Sequence, residues 1–135
     1  MNYFFEYPME VRDYECDLQG IVNNSVYQNY LEHTRHQFLR SVGESFKEMH
    51  NRGVDAVVRR VEIDYKVSLR SEDTFICRLA ITREGAKFVF HQQILRQPDL
   101  KLCIQARIES VCIDNGRVSR GDEIAKCFEP YFSIQ

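Results

Sequence analysis

Residues 23–43 carry a pattern of hydrophobic and polar positions that is typical of an amphipathic α-helix. The side chains expected on the buried face recur at steps of four and three residues, at Tyr27, Leu31, Thr34, Phe38 and Val42. This spacing lies along one face of a helix with 3.6 residues per turn. The polar side chains fall mostly on the other face: Gln28, Asn29, Glu32, Arg35, His36 and Arg40.

The ends of this helix are marked by residues that favour starting and stopping. Asn23 or Asn24 is predicted to cap the N-terminus, because a short side-chain oxygen can accept a hydrogen bond from a first-turn amide. Gly43 is predicted to end the helix, since glycine adopts the left-handed conformation that commonly follows a last helical turn.

Most of the remaining chain alternates with a period of two, which predicts β-strands. The clearest run covers 60–69, where Val61, Ile63, Tyr65, Val67 and Leu69 alternate with polar residues. Further strands are predicted at 7–14, 75–81, 88–94 and 102–108, and short helices at 46–53 and 122–128. Val111 and Ile113 continue the last strand out of phase, so we expect a bulge near 109–110.

The order of these elements predicts an α+β fold in one domain, residues 1–135. One long helix would pack on a curved antiparallel sheet built from strands at hairpin spacing. A single sheet of this kind leaves edges and one face without partners, so we expect the chain to associate through its sheet.

Composition excludes several classes of protein. The formal charge of −2 and a pI of about 6.1 argue against a generally nucleic-acid-binding surface. No apolar run approaches the roughly 20 residues needed to span a bilayer, and the N-terminus lacks the pattern of a signal peptide. The five cysteines form no C-x-x-C pair and are expected to be reduced thiols of a cytoplasmic protein.

The stretch 17–27 combines residue types that suit acyl transfer. It supplies a carboxylate (Asp17), a glycine that can bend a loop (Gly20) and two consecutive amides, just before the predicted helix. The first-turn N–H groups of a helix have no intrahelical partner and carry the positive end of its dipole. A carboxylate placed beside such donors could act on a polarised carbonyl.

The motif Asp17-x-x-Gly20-x-Val22-x-Asn24-x-x-Tyr27, followed by Tyr30-Leu31-Glu32-x-x-Arg35, resembles the signature of the 4-hydroxybenzoyl-CoA thioesterase family of hotdog-fold proteins. The resemblance implies a hotdog fold, with the long helix wrapped by the sheet. It also implies hydrolysis of acyl-CoA to a carboxylic acid and free CoA, without a metal or redox cofactor. Homodimers or homotetramers with the site at the subunit interface are expected on the same ground.

The same resemblance assigns residue roles. Asp17 is expected to be the catalytic carboxylate, as nucleophile or general base, and the backbone amide of Asn24 to polarise the thioester carbonyl. The residues expected to bind substrate are Gly20, Ile21, Val22 and Tyr27.

Each of these residues also has a structural alternative. Asp17 could cap a turn, Gly20 could serve the backbone alone and Tyr27 could pack in the core. Glu32 is a reserve carboxylate, because another branch of hotdog thioesterases carries its acid on a helix; otherwise it is a solvated residue paired with Arg35 or His36.

Two further groups of residues carry side chains that can bind metals or phosphates. His33 and His36 form an H-x-x-H pair, but two ligands do not complete a metal site, so no metal is expected. Basic residues that could contact CoA phosphates occur at Arg59, Arg60, Lys66, Arg70, Arg83 and Lys87, without one being singled out. The alternative functions are an acyl carrier protein thioesterase and a non-catalytic acyl-binding module.

Overall fold

Residues 1–133 are described by a computed structural model, in which one antiparallel sheet curves around one long helix. The strands are β1 (Phe5–Glu10), β2 (Val54–Tyr65), β3 (Thr74–Glu84), β4 (Lys87–Arg96), β5 (Lys101–Asp114) and β6 (Arg117–Ser119). The helices are α1 (Asn24–Ser41), α2 (Phe46–Asn51) and α3 (Asp122–Phe128). Short 3₁₀ turns cover Asp13–Glu15 and Glu129–Tyr131.

The sheet has the strand order β1-β3-β4-β5-β2, with β6 paired to the end of β5. All these pairs are antiparallel. The predicted α+β architecture is confirmed, and it is the arrangement of the hotdog fold. Strand β2 lies at one edge of the sheet, so within residues 1–133 only one of its sides is paired.

The buried face of α1 packs on the inner face of the sheet. Leu31 and Phe38 are at most 1% exposed and contribute to one core with Phe75 and Leu79 of β3. The helix ends at Ser41, one residue before the predicted buried Val42, which is only half buried. Gly43 adopts φ +78° directly after the end of the helix, as its predicted role requires.

Arg35 departs from the predicted polar face of α1. It is only 8% exposed, and its Nη1 donates a hydrogen bond of 3.0 Å to Oε1 of Gln92 on β4. Helical periodicity places Arg35 on the solvent side. It cannot detect the burial, because the hydrogen-bond partner of the guanidinium is 57 residues away in the sequence.

The bulge predicted in β5 lies instead in β2. Strand β5 keeps its phase from Ile104 onward, where Ser110 and Cys112 continue the buried positions, and its own irregularity lies earlier, at Cys103, which the pairing with β4 skips. The register shift falls between Val58 and Arg60, which leaves Arg59 without a partner. The hydrophobic pattern placed Val111 in the core and so required a bulge. In the structure the small polar Ser110 faces the core and Val111 lies on the other face.

Several boundaries differ from their predictions by a few residues. Strand β1 ends at Glu10 rather than near residue 14, and β2 begins at Val54 and ends at Tyr65 rather than covering 60–69. Helices α2 and α3 lie where they were predicted. Among residues 1–133, no helix is long and apolar enough to cross a membrane.

Candidate active site

Residues 16–22, here called the Asp17 loop, form a tight turn before α1. The N–H of Asp17 donates to the carbonyl of Ile21 at 2.9 Å, and the N–H of Gly20 donates to the carbonyl of Asp17 at 3.0 Å. Cys16 and Val22 close the loop as an antiparallel bridge. Gly20 adopts φ +80°, a left-handed conformation that a residue with a side chain rarely takes.

The Asp17 carboxylate is exposed, and only one of its two oxygens accepts hydrogen bonds. Its Oδ1 accepts hydrogen bonds from the N–H groups of Gln19 (2.8 Å) and Ile21 (3.4 Å). Its Oδ2 accepts none within residues 1–133. The predicted turn-capping role is therefore real, but it uses one oxygen and leaves the other open.

The N-terminus of α1 has no side-chain cap. Asn23 is the N-cap residue, yet its side chain accepts no hydrogen bond from the first turn. Its Nδ2 instead donates to the carbonyl of Glu15 at 3.3 Å. The predicted capping bond from Asn23 or Asn24 is therefore wrong. In the part of the chain that the structure describes, the N–H groups of Asn24 and Ser25 have no hydrogen-bond partner.

Tyr27 anchors this end of the helix to the segment that follows β2. It is 2% exposed, and its hydroxyl accepts the backbone N–H of Leu69 at 2.9 Å. The carbonyl of Leu69 in turn accepts the N–H of Val22 at 2.9 Å. The hydroxyl of Tyr65 donates to the carbonyl of Asn24 at 3.4 Å. Tyr27 and Tyr65 thus hold the loop and the helix N-terminus to β2 and to the segment that follows it.

A second anchor, between Tyr30 and Glu15, was not predicted from the sequence. The Tyr30 hydroxyl donates to Oε1 of Glu15 at 2.8 Å. Burial, followed by this hydrogen bond and the Glu15 charge, raises the pKa of Tyr30 above its ordinary value. The pair fixes the chain just before the Asp17 loop. No periodic signal connects residues from a turn and a helix, so pattern analysis could not find it.

The reserve carboxylate Glu32 does not face the Asp17 loop. It lies eight residues beyond Asn24 on α1, about 12 Å along the helix axis, and its Oε1 is 3.6 Å from Nε2 of His36. Glu32 lines a cleft between α1 and the sheet. Within residues 1–133, no three histidine, cysteine or acidic residues are grouped so as to hold a metal ion.

The predicted basic residues divide into two groups. Arg60, Lys87 and Arg83 are held in ion pairs with acidic side chains. Arg59, Lys66 and Arg70 form no ion pair within the described residues. Of these three, Arg70 has a backbone bridge with Ile21 of the Asp17 loop. A β-carbon added to Gly20 would lie 4.0 Å from Nη1 of Arg70. Arg70 is therefore the basic side chain that the fold brings to this loop.

The sequence is similar to those of several proteins named as thioesterases. The chain is 34% identical over 116 residues to the chloroplastic acyl-acyl carrier protein thioesterase ATL3 of Arabidopsis thaliana, covering 85% of this chain and 61% of that protein. It thus spans about 60% of the length of this plant relative and of the related ATL2. The acyl-CoA thioester hydrolase YbgC of Escherichia coli O157:H7 is 28% identical over 111 residues, 82% of each chain.

A solved structure and a family model also match this chain. The crystal structure of a hypothetical protein from Aquifex aeolicus superposes with a TM-score of 0.85 at 29% identity, covering 91% of this chain and 98% of that one. Residues 11–127 match the family described as the thioesterase-like superfamily. This range includes the Asp17 loop, α1 and every strand from β2 to β6. The chain therefore belongs to the thioesterase-like superfamily.

Proposed function

We propose that the protein hydrolyses acyl thioesters where the Asp17 loop meets the N-terminus of α1. The observation that carries this proposal is the combination of an exposed carboxylate with an open Oδ2 and a helix whose first two amides have no partner within residues 1–133. Both features are needed to attack and to polarise a carbonyl. Membership of the thioesterase-like superfamily supports the reaction class.

In the proposed mechanism, the thioester carbonyl oxygen accepts a hydrogen bond from the N–H of Asn24. This donor would stabilise the negative charge that develops on the oxygen as the carbonyl carbon is attacked. Asp17 either attacks the carbon through Oδ2, giving an acyl anhydride and releasing the thiolate, or removes a proton from an attacking water. In the first route water then hydrolyses the anhydride. In the second route the attacking water expels the thiolate and Asp17 returns the proton, so both routes give the free acid and the free thiol.

Substitution of Asp17 tests this proposal. We expect Asp17→Asn to lower kcat by about a hundredfold or more, the size of an acid–base contribution, in a thiol-release assay with a panel of short, medium, long and aromatic acyl-CoA esters. Glu32→Gln is the matched control, because it neutralises an exposed carboxylate on α1, and we expect near-unchanged turnover. Loss of activity in Glu32→Gln with an active Asp17→Asn would transfer the catalytic role to Glu32.

The acyl carrier is proposed to be CoA, with acyl carrier protein as the alternative. Arg70 beside the Asp17 loop suits a CoA phosphate, whereas the plant relatives named as acyl-acyl carrier protein thioesterases favour a protein carrier. Measuring kcat/KM for one acyl group on both carriers decides between them. Acyl binding without hydrolysis of either ester would instead support a non-catalytic acyl-binding module.

The proposed active unit is a homodimer, or a homotetramer built from it, with the site at the subunit interface. This is supported by edge strand β2, which exposes apolar side chains at Val57, Val61 and Tyr65 with 39–48% of each accessible. A second copy pairing along β2 would cover them and satisfy the free edge. We also propose a cytoplasmic location, supported by five cysteines that form no disulfide, and one hotdog domain over residues 1–135, supported by the single sheet that the strands form.

A further inference from the structure

A cleft of about 300 Å³ opens between the second half of α1, helix α2 and the sheet. The apolar part of its walls includes Phe46 of α2, Ala56 of β2 and Phe90 of β4, and polar and acidic side chains complete the lining. Arg35 of α1 also lines this space, which is here called the Arg35 cleft. Arg35 lies eleven residues beyond Asn24, about 16 Å along the helix axis. The cleft is therefore well separated from the Asp17 loop of the same chain.

The Arg35 guanidinium is buried, with its Cζ 5.9 Å from the centroid of the Phe90 ring, and it has few polar partners. Its one hydrogen bond within residues 1–133 runs from Nη1 to Oε1 of Gln92, and Nε2 of Gln92 donates to the carbonyl of Leu31 at 3.0 Å. No carboxylate of these residues lies within ion-pair distance of Arg35. Its other nitrogens form no hydrogen bond within these residues and are not fully enclosed by protein. They therefore face the open space of the cleft.

The acidic side chains at the mouth of the cleft are open to solvent. Glu32 is next to His36, and Asp55 is 2.7 Å from Nδ1 of His50. Both carboxylates are at least 43% exposed, so water screens them. Burial lowers the pKa of His36, which keeps this imidazole neutral at pH 7. Glu32, three residues before Arg35 on α1, is the nearby acidic group that acts on the guanidinium, and among the lining residues Arg35 is the charged side chain that is buried.

We infer that the Arg35 cleft binds a small organic carboxylate, with its anionic group on Arg35 and its apolar body against Phe46 and Phe90. A guanidinium offers five donors in a planar fork that matches a carboxylate. A buried cation without an anionic partner is unfavourable, and an incoming carboxylate removes that cost. The carboxylate could be the acid released by thioester hydrolysis or an unrelated free acid, and both present the same chemistry to Arg35.

Direct titration tests this inference without any thioester. Benzoate and hexanoate are compared with their uncharged counterparts benzyl alcohol and hexan-1-ol, using the protein in its solution assembly and calorimetry or NMR shifts. We expect each carboxylate to bind about tenfold tighter than its alcohol, as for a charge-assisted contact. Arg35→Met should remove that preference, while Arg40→Met, which removes an exposed arginine of the same helix, should retain it.

A second variant keeps the test decisive if Arg35→Met does not fold. Ala56→Leu leaves Arg35 in place and fills the cleft, so it should weaken binding of both carboxylates about tenfold or more. Equal affinity for acids and alcohols in the wild type, or unchanged carboxylate affinity in the folded variants, would overturn the inference.

An inhibition assay separates the two sources of the acid. Product inhibition of thioester hydrolysis by the carboxylate, relieved in the variants, would identify the released acid as the occupant. Carboxylate binding without inhibition would identify an independent ligand. Because binding is measured without turnover, an inactive Asp17→Asn or an inactive wild type leaves this test intact.

Discussion

Tyr27 is a single residue on which the placement of the Asp17 loop depends. Its hydroxyl is the partner of the Leu69 N–H, and the Leu69 carbonyl holds Val22 at the end of the loop. Tyr27→Phe would keep the ring packing while leaving a buried N–H unpaired. We expect the free energy of unfolding to fall by about 1–3 kcal/mol, the cost of an unsatisfied buried group.

Chemical denaturation of Tyr27→Phe beside Tyr65→Phe measures this effect. Tyr65 is 48% exposed and makes a long hydrogen bond of 3.4 Å, so its removal should cost much less. Equal destabilisation by the two substitutions would show that the buried bond to Leu69 is not the important contact.

The contacts and conformations of residues near the site were only partly predictable from the sequence. The carboxylate, the glycine turn and the helix start were expected from their types and spacing, and the loop has the expected geometry. The missing side-chain cap, the Glu15–Tyr30 bond and the burial of Arg35 were not. Each depends on a partner chosen by the fold, which local spacing does not encode.

At the scale of elements, edge strand β2 is where association can be tested. We expect Val61→Lys to shift the protein toward monomers, raising the dissociation constant at least tenfold, because like charges from two copies would meet at the paired edge. Sedimentation velocity across a range of concentrations measures the shift.

Val118→Lys is the matched control for this edge. Val118 is 67% exposed on β6, a different strand, so a lysine there should leave the assembly unchanged. An unaltered assembly in Val61→Lys would mean that β2 is not the interface. Reduced hydrolysis in a monomeric Val61→Lys would support a site shared between subunits.

Elements were predicted well where hydrophobicity and burial coincide. The period of α1 and the alternation of β3 and β4 correspond directly to their buried faces. Strand β5 shows the limit, because polar Ser110 faces the core while Glu109 is buried on the other face by Lys87 and Arg107. An ion-pair network can bury a residue that a hydropathy pattern assigns to solvent.

For the whole molecule, stability should decrease as the pH falls below about 6.5. Burial lowers the pKa of His36 and His91 below their ordinary value of 6.5, and the Arg107 charge lowers that of His91 further. Below pH 6.5 the unfolded chain therefore binds more protons than the folded chain, so acidification favours unfolding. We expect the Tm to fall by a few degrees between pH 7.5 and 5.5, with a flatter profile for His91→Gln.

A second decrease is expected at lower pH. The hydrogen bond from Arg52 lowers the pKa of Glu44, and that from Lys87 lowers the pKa of Glu109, relative to their ordinary value of 4.5. The stability they contribute is present above pH 4.5 and is lost as the pH falls through the lowered values. A Tm that rises on acidification from pH 7.5 would contradict both assignments.

At the uncapped first turn of α1, a change that raises thermal stability is expected to lower the turnover rate. An aspartate or serine at position 23 whose oxygen accepted a first-turn amide would stabilise the helix by about 1 kcal/mol. Its oxygen would accept the N–H of Ser25 and so crowd the neighbouring N–H of Asn24, the donor that we assign to the thioester carbonyl. Directed evolution for thermal stability alone would thus enrich caps at Asn23 and select robust but slow enzymes. Stabilising substitutions are better sought in α3 and β6, away from the donors of α1.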